Sequence, residues 1–109
     1  MLAVSSVGQI PYWAQLTTAS SPSVRRDHAM TYDSARGKVV MFGGYDSGDV
    51  NDTWEYDGVD WTQVTTASSP GARRAHAMAY DIARGKVVMF GGNNGGNETW
   101  EYDGVDWTQ

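Results

Sequence analysis

Two histidines and two arginine pairs are the residues of this 109-residue chain best equipped for chemistry. His28 follows Arg25-Arg26 and His76 follows Arg73-Arg74, each histidine three positions after the first arginine of its pair. Recurring histidines can hold a metal or pass protons. No second ligand type stands at a metal-like spacing beside either one, however, so a hydrogen-bonded structural role is the reading adopted and no metal is expected. Guanidinium groups grip carboxylates and phosphates through paired N–H donors. One arginine of each pair is expected in an internal ion pair with Glu55, Glu101 or a turn aspartate. The other, taken as Arg26 and Arg74, is a candidate contact for an anionic ligand. Asp46, Asp49, Asn51 and Asp52 offer calcium-type oxygens within Tyr45–Asp52, but their spacing is not that of a calcium loop. The matching segment, Asn93–Glu98, reads NNGGNE and carries a single acid, so turn formation accounts for both. Tyr45, Asp46, Asn93 and Asn94 are candidate ligand contacts, with side chains suited to sugar hydroxyls. Ser20-Ser21 and Ser68-Ser69 run directly into proline without the glycine-flanked elbow of a nucleophilic serine, and read as turn residues. No cysteine is present, which excludes disulfides and thiolate chemistry. No catalytic residue and no cofactor is expected.

These residues occur twice because the chain is a repeat. Trp13–Gly44 aligns with Trp61–Gly92 without a gap, 25 of 32 positions being identical, and Thr53–Asp60 and Thr99–Asp106 both read TWEYDGVD. Only the intervening Tyr45–Asp52 and Asn93–Glu98 differ in length. A period near 50 residues, five Trp, six Tyr and thirteen Gly, and no sustained 3.6-residue apolar period point to repeated strands rather than helices. Within the second copy Arg74–Asp81 alternates large and small residues as a strand does, and Ile82–Gly85 is a short turn. Lys86–Gly92 (KVVMFGG) follows, four successive apolar residues that imply cover on both faces. Thr99–Asp103 is a third strand with Trp100 and Tyr102 on one face. Trp107–Gln109 starts a fourth, whose full counterpart is Trp61–Thr65. The doubled glycines, Gly43-Gly44 and Gly91-Gly92, lack side chains and are expected to let a neighbouring aromatic ring lie on the backbone.

The pattern from about Tyr12 onward resembles the kelch repeat. The resemblance is carried by Arg25/His28, Gly43-Gly44, Tyr56 and Trp61, then by Arg73/His76, Gly91-Gly92, Tyr102 and Trp107, and Trp54 and Trp100 recur with them as structural repeat residues. It implies an all-β chain of two β-propeller blades, each four antiparallel strands running from innermost to outermost in chain order. The expected organisation is a lead-in at residues 1–11, an extra outer strand at 12–18, one blade at 25–65 and a second at 73–109 with a shortened outer strand. Some propellers of this kind are enzymes. Their copper–cysteine–tyrosine chemistry is impossible without cysteine, and no catalytic residue of the sialic-acid isomerising members maps onto this chain.

Propellers typically close with four to eight blades. A pair of blades leaves two apolar faces uncovered, and a face of about 500 Å² left in water forgoes about 12 kcal/mol. Head-to-tail association into a closed homo-oligomer is therefore expected, a trimer of six blades or, alternatively, a tetramer of eight. Tyr12–Thr18 (YWAQLTT) matches a fourth strand and is expected to complete the second blade of a neighbouring copy in place of Trp107–Gln109. The net charge of −5, with no basic stripe, argues against a nucleic-acid partner, and no apolar stretch is long enough to predict a membrane-spanning helix. The functional expectation is a non-enzymatic scaffold or binding module that presents its loops for protein interaction. The alternatives are a carbohydrate- or anion-binding propeller, and a repeat fragment with no activity beyond folding and assembly.

Overall fold

A computed structural model describes residues 12–109; the expected lead-in at 1–11 lies outside the described residues. Among the described residues there is no helix, and eight strands form two four-stranded antiparallel sheets. The first contains β1 (Ala29–Asp33), β2 (Lys38–Tyr45), β3 (Asp49–Tyr56) and β4 (Trp61–Val64) in that spatial order. The second contains β5 (Ala77–Asp81), β6 (Lys86–Phe90), β7 (Thr99–Tyr102) and β8 (Trp107–Thr108), again in chain order. The registers repeat: Met30 faces Met41 across β1 and β2 as Met78 faces Met89 across β5 and β6, and Met41 faces Trp54 as Met89 faces Trp100.

Short aspartate-based turns explain why the strands stop where they do. Asp33 Oδ1 accepts from the N–H groups of Ala35 and Arg36, closing the link between β1 and β2. Asp57 Oδ1 accepts from Val59 and Asp60, and Asp103 Oδ1 from Val105 and Asp106. A carboxylate that takes successive backbone donors in this way competes with strand continuation.

The two sheets pack face to face. Val40 and Phe42 of β2 meet Val87, Met89, Tyr102 and Trp107 of the second sheet in one buried cluster. These are opposite parities of one motif, since Val40 and Phe42 correspond to Val88 and Phe90, and Val87 and Met89 to Val39 and Met41. Alternation along a strand puts them on opposite faces. Each sheet thus uses a different face of the same apolar strand. The cover expected on both faces is met in β2, where Val40, Met41 and Phe42 are all buried. It fails in β6, where Phe90 is 53% exposed.

Tyr12–Thr18 forms no strand, and Tyr12, Trp13 and Leu16 are exposed. The outer position of the second sheet is held by β8, which pairs Tyr102 with Trp107 and Glu101 with Thr108. Within one chain Trp107 is therefore not displaced from its slot, because its ring lies against Phe42, with centroids 5.2 Å apart, and is 1% exposed.

Candidate functional site

Where the sheets meet, a ring lies on the first glycine pair as expected, and backbone carbonyls crowd it too. Gly43 and Gly44 have φ of 68° and 108°, the left-handed region that side chains disfavour. A Cβ on Gly43 would stand 2.8 Å from the Arg73 carbonyl oxygen and 3.0 Å from the His76 ring. One on Gly44 would stand 2.9 Å from both the Arg26 carbonyl oxygen and His28 Cβ. Backbone carbonyls and histidines, the His76 imidazole ring among them, thus occupy the space. The Gly44 N–H donates to the Arg73 carbonyl at 2.9 Å, which stitches the sheets together.

The hydrogen-bonded role read for the histidines would be met most simply inside one sheet. His76 instead reaches across: its Nε2 lies 2.8 Å from the Phe42 carbonyl oxygen. That contact requires a proton on Nε2, and Nδ1 is buried with no partner among the described residues. Burial holds the His76 pKa below its ordinary value against the pull of the carbonyl, and the nearby charges of Arg73 and His28 act in the same direction as burial. His28, its counterpart, is exposed.

Further polar contacts cross the same seam. Trp107 Nε1 donates to Thr53 Oγ1 at 3.0 Å, and the Tyr102 hydroxyl donates to Glu55 Oε2 at 2.7 Å. Arg36 grips Glu55 with both terminal nitrogens and Asp33 with Nε. Burial alone would raise the Glu55 pKa; the bonds from Arg36 and Tyr102 overcome it and hold the carboxylate in its charged form. Burial, together with this carboxylate, pushes the Tyr102 hydroxyl far above the ordinary tyrosine range. Arg36, Glu55 and Asp33, with their counterparts Arg84, Glu101 and Asp81, escaped the reading of the sequence as a linked set. The signal available was that each recurs unchanged in both copies.

Arg25 and Arg73 are held in internal ion pairs, with acids other than Glu55 and Glu101, and Arg74 is paired as well, with Asp49. Arg25 takes Asp52 through two nitrogens, at 2.6 and 2.9 Å, and also donates to the Gly43 carbonyl. Arg73, 1% exposed, takes Glu98 at 2.8 Å and the Gly91 carbonyl at 3.2 Å. Each acid also accepts from an indole: Trp54 Nε1 donates to Asp52 and Trp100 Nε1 to Glu98. These contacts disperse the proposed calcium-type oxygens, because Asp46 accepts from Ser23 and Ser47, Asp49 from Arg74 and Asn94, and Asp52 from Arg25 and Trp54. Among the described residues no group of three or more metal-binding side chains is placed to hold an ion.

The other arginine of each pair converges on Tyr45. The Arg26 guanidinium carbon lies over the Tyr45 ring at 4.8 Å from its centroid, and that of Arg74 at 5.0 Å. Backbone bonds fix this meeting. Arg26 exchanges both N–H···O bonds with Tyr45, at 3.0 and 2.8 Å, and the Asn93 N–H donates to the Arg74 carbonyl. Arg74 Nη1 donates to Asp49 Oδ1 at 3.2 Å, and Asn94 Nδ2 donates to Asp49 Oδ2 at 2.7 Å. Of the candidate ligand contacts, Arg26, Arg74, Tyr45 and Asn94 thus come together around Tyr45 and Asp49. Asp46 is engaged with Ser23 and Ser47, and Asn93 enters only through its backbone. No protein-family model and no curated protein matches the chain.

Proposed function

We propose that the chain is a non-enzymatic β-propeller scaffold of the kelch type, each sheet one blade, whose copies associate head to tail into a closed ring that presents its connecting loops to other proteins. One observation carries the reading: the two outward faces repeat the two halves of the covered seam. The second sheet leaves Val88, Phe90, Thr99 and Glu101 on its outward side, counterparts of Val40, Phe42, Thr53 and Glu55. The first sheet leaves Val39, Tyr56, Trp61 and His28 on its outward side, counterparts of Val87, Tyr102, Trp107 and His76. A second copy would therefore meet the same chemistry that already holds the sheets together: His28 to the Phe90 carbonyl, Trp61 to Thr99, Tyr56 to Glu101. Such heterologous contacts close when the rotation per chain divides the circle. Three copies give six blades, four give eight. In either ring the outer position of each second blade has two claimants, Trp107–Gln109 and the matching Tyr12–Thr18 of a neighbour.

Light scattering on the 109-residue chain tests the reading. A trimer of about 36 kDa is expected from a subunit of 11.9 kDa, and Phe90→Asp is expected to reduce it to a folded monomer. A wild-type chain that stays at one subunit's mass at micromolar concentration, with a cooperative melt, would overturn it.

A further inference from the structure

We propose that Arg26 and Arg74, gathered over Tyr45, form a binding site for a small oxyanion such as an organic polycarboxylate. All three residues belong to one chain, so the site goes beyond the scaffold reading and stands whether or not copies assemble. Arg25 and Arg73 are tied into ion pairs and backbone carbonyls, whereas their sequence neighbours are held elsewhere. A guanidinium lying over an aromatic face keeps its N–H donors in its own plane and available. The Arg26 guanidinium donates to no side chain or carbonyl among the described residues, and that of Arg74 donates only once, to Asp49. Among the described residues Asp49 is the single carboxylate in contact with either guanidinium, so there two positive charges face one negative charge. Asp49 is shared with Asn94, which steadies Arg74 without taking its remaining donors.

The backbone is organised for this placement. The residue after each arginine, Asp27 or Ala75, has φ near 58–59°, a left-handed conformation uncommon for a side-chain-bearing residue. The Ala75 N–H donates to the Asp27 carbonyl at 2.8 Å. The two kinks are thus bonded to each other and set the two arginines on adjacent strand entries. Tyr45 is what makes the site specific to this seam, because its counterpart in the second copy is Asn93. One site per chain follows, rather than one per repeat. An oxyanion seated there takes N–H donors from both guanidiniums, and a ligand with more than one carboxylate engages both forks at once.

Citrate and inorganic phosphate are the probes, titrated separately against the full chain while the Tyr45 ring protons are followed by NMR. A saturable shift of the Tyr45 ring is expected with citrate. Arg26→Ala and Arg74→Ala are each expected to weaken it on the order of tenfold or more, as befits loss of a charge-assisted bond. Arg26→Lys, which keeps the charge and the fold but loses the fork, is expected to fall between. A response to phosphate alone would still support an oxyanion site while replacing the carboxylate as its ligand. No saturable Tyr45 shift with either probe, or a shift unchanged in Arg26→Ala and Arg26→Lys, overturns the proposal. Neither result depends on the mass of the assembly, so this test and that of the scaffold fail separately.

Discussion

His76 and Glu55 show how one residue type acquires different energetics in two copies of the same sequence. His76 is buried, neutral and bonded to a carbonyl, and its pKa is lowered by burial. The unfolded chain therefore binds the proton first as pH falls. The stability that His76 contributes is complete above its ordinary value of 6.5 and is lost as pH drops from there through the folded value. Urea denaturation between pH 7.5 and 5 should show stability falling with acid, and His76→Gln should flatten that part of the profile. Glu55, also lowered despite burial, extends the loss further into acid, below its ordinary value of 4.5. Removing one partner from such a cluster leaves Arg36 and Tyr102 facing an empty position. Glu55→Ala should cost about 3 kcal/mol in chemical denaturation, whereas in the unassociated chain Glu101→Ala, whose partner Arg84 is half exposed, should cost much less.

At the scale of elements, the glycine pairs separate backbone conformation from crowding. Gly43 and Gly91 share a positive φ, 68° and 71°. Only Gly43 is crowded, by the Arg73 carbonyl and the His76 ring; a Cβ on Gly91 would meet nothing closer than 3.6 Å. Both alanine variants carry the conformational penalty of about 1–2 kcal/mol, and Gly43→Ala adds an overpacking cost of about 1–3 kcal/mol. Thermal melts of the two variants in the unassociated chain should therefore differ, with Gly43→Ala the lower. Equal midpoints would mean that the sheets yield at this contact without cost. The strands themselves were legible beforehand. KVVMF announces a strand apolar on both faces, and D-G-V-D announces a turn, because both signals are local. Less legible were the bonds that the Ser20 N–H donates to Asp60 Oδ1 and the Ser68 N–H to Asp106 Oδ1, which pin each TTASSP segment to the turn of its own repeat. Partners 40 and 38 residues apart leave no short-range pattern.

For the whole molecule, Phe42 and Phe90 are the informative pair. They occupy the same repeat position, yet Phe42 is fully buried between the sheets and Phe90 is about half exposed. Phe42→Ala should cost about 3–5 kcal/mol at any protein concentration, since it opens a cavity in the intramolecular core. If copies associate through the open faces, the effect of Phe90→Ala should instead grow with concentration, because only the associated state covers that ring. Melting midpoints measured over a hundredfold range of concentration distinguish the two. A Phe90→Ala chain that melts like the wild type throughout that range would show that Phe90 remains in water.

By itself the sequence determined the repeat, the strand and turn order, and that one arginine of each pair would enter an internal ion pair. All of these follow from local pattern and from the recurrence of identical residues. It did not determine which of two identical surfaces becomes core, nor that Arg26 and Arg74 meet over Tyr45. Burial and convergence belong to neighbours rather than to residues. Two nearly identical repeats carry the same pair of complementary faces, and only the order in which the sheets stack decides which Phe, which His and which Glu is covered.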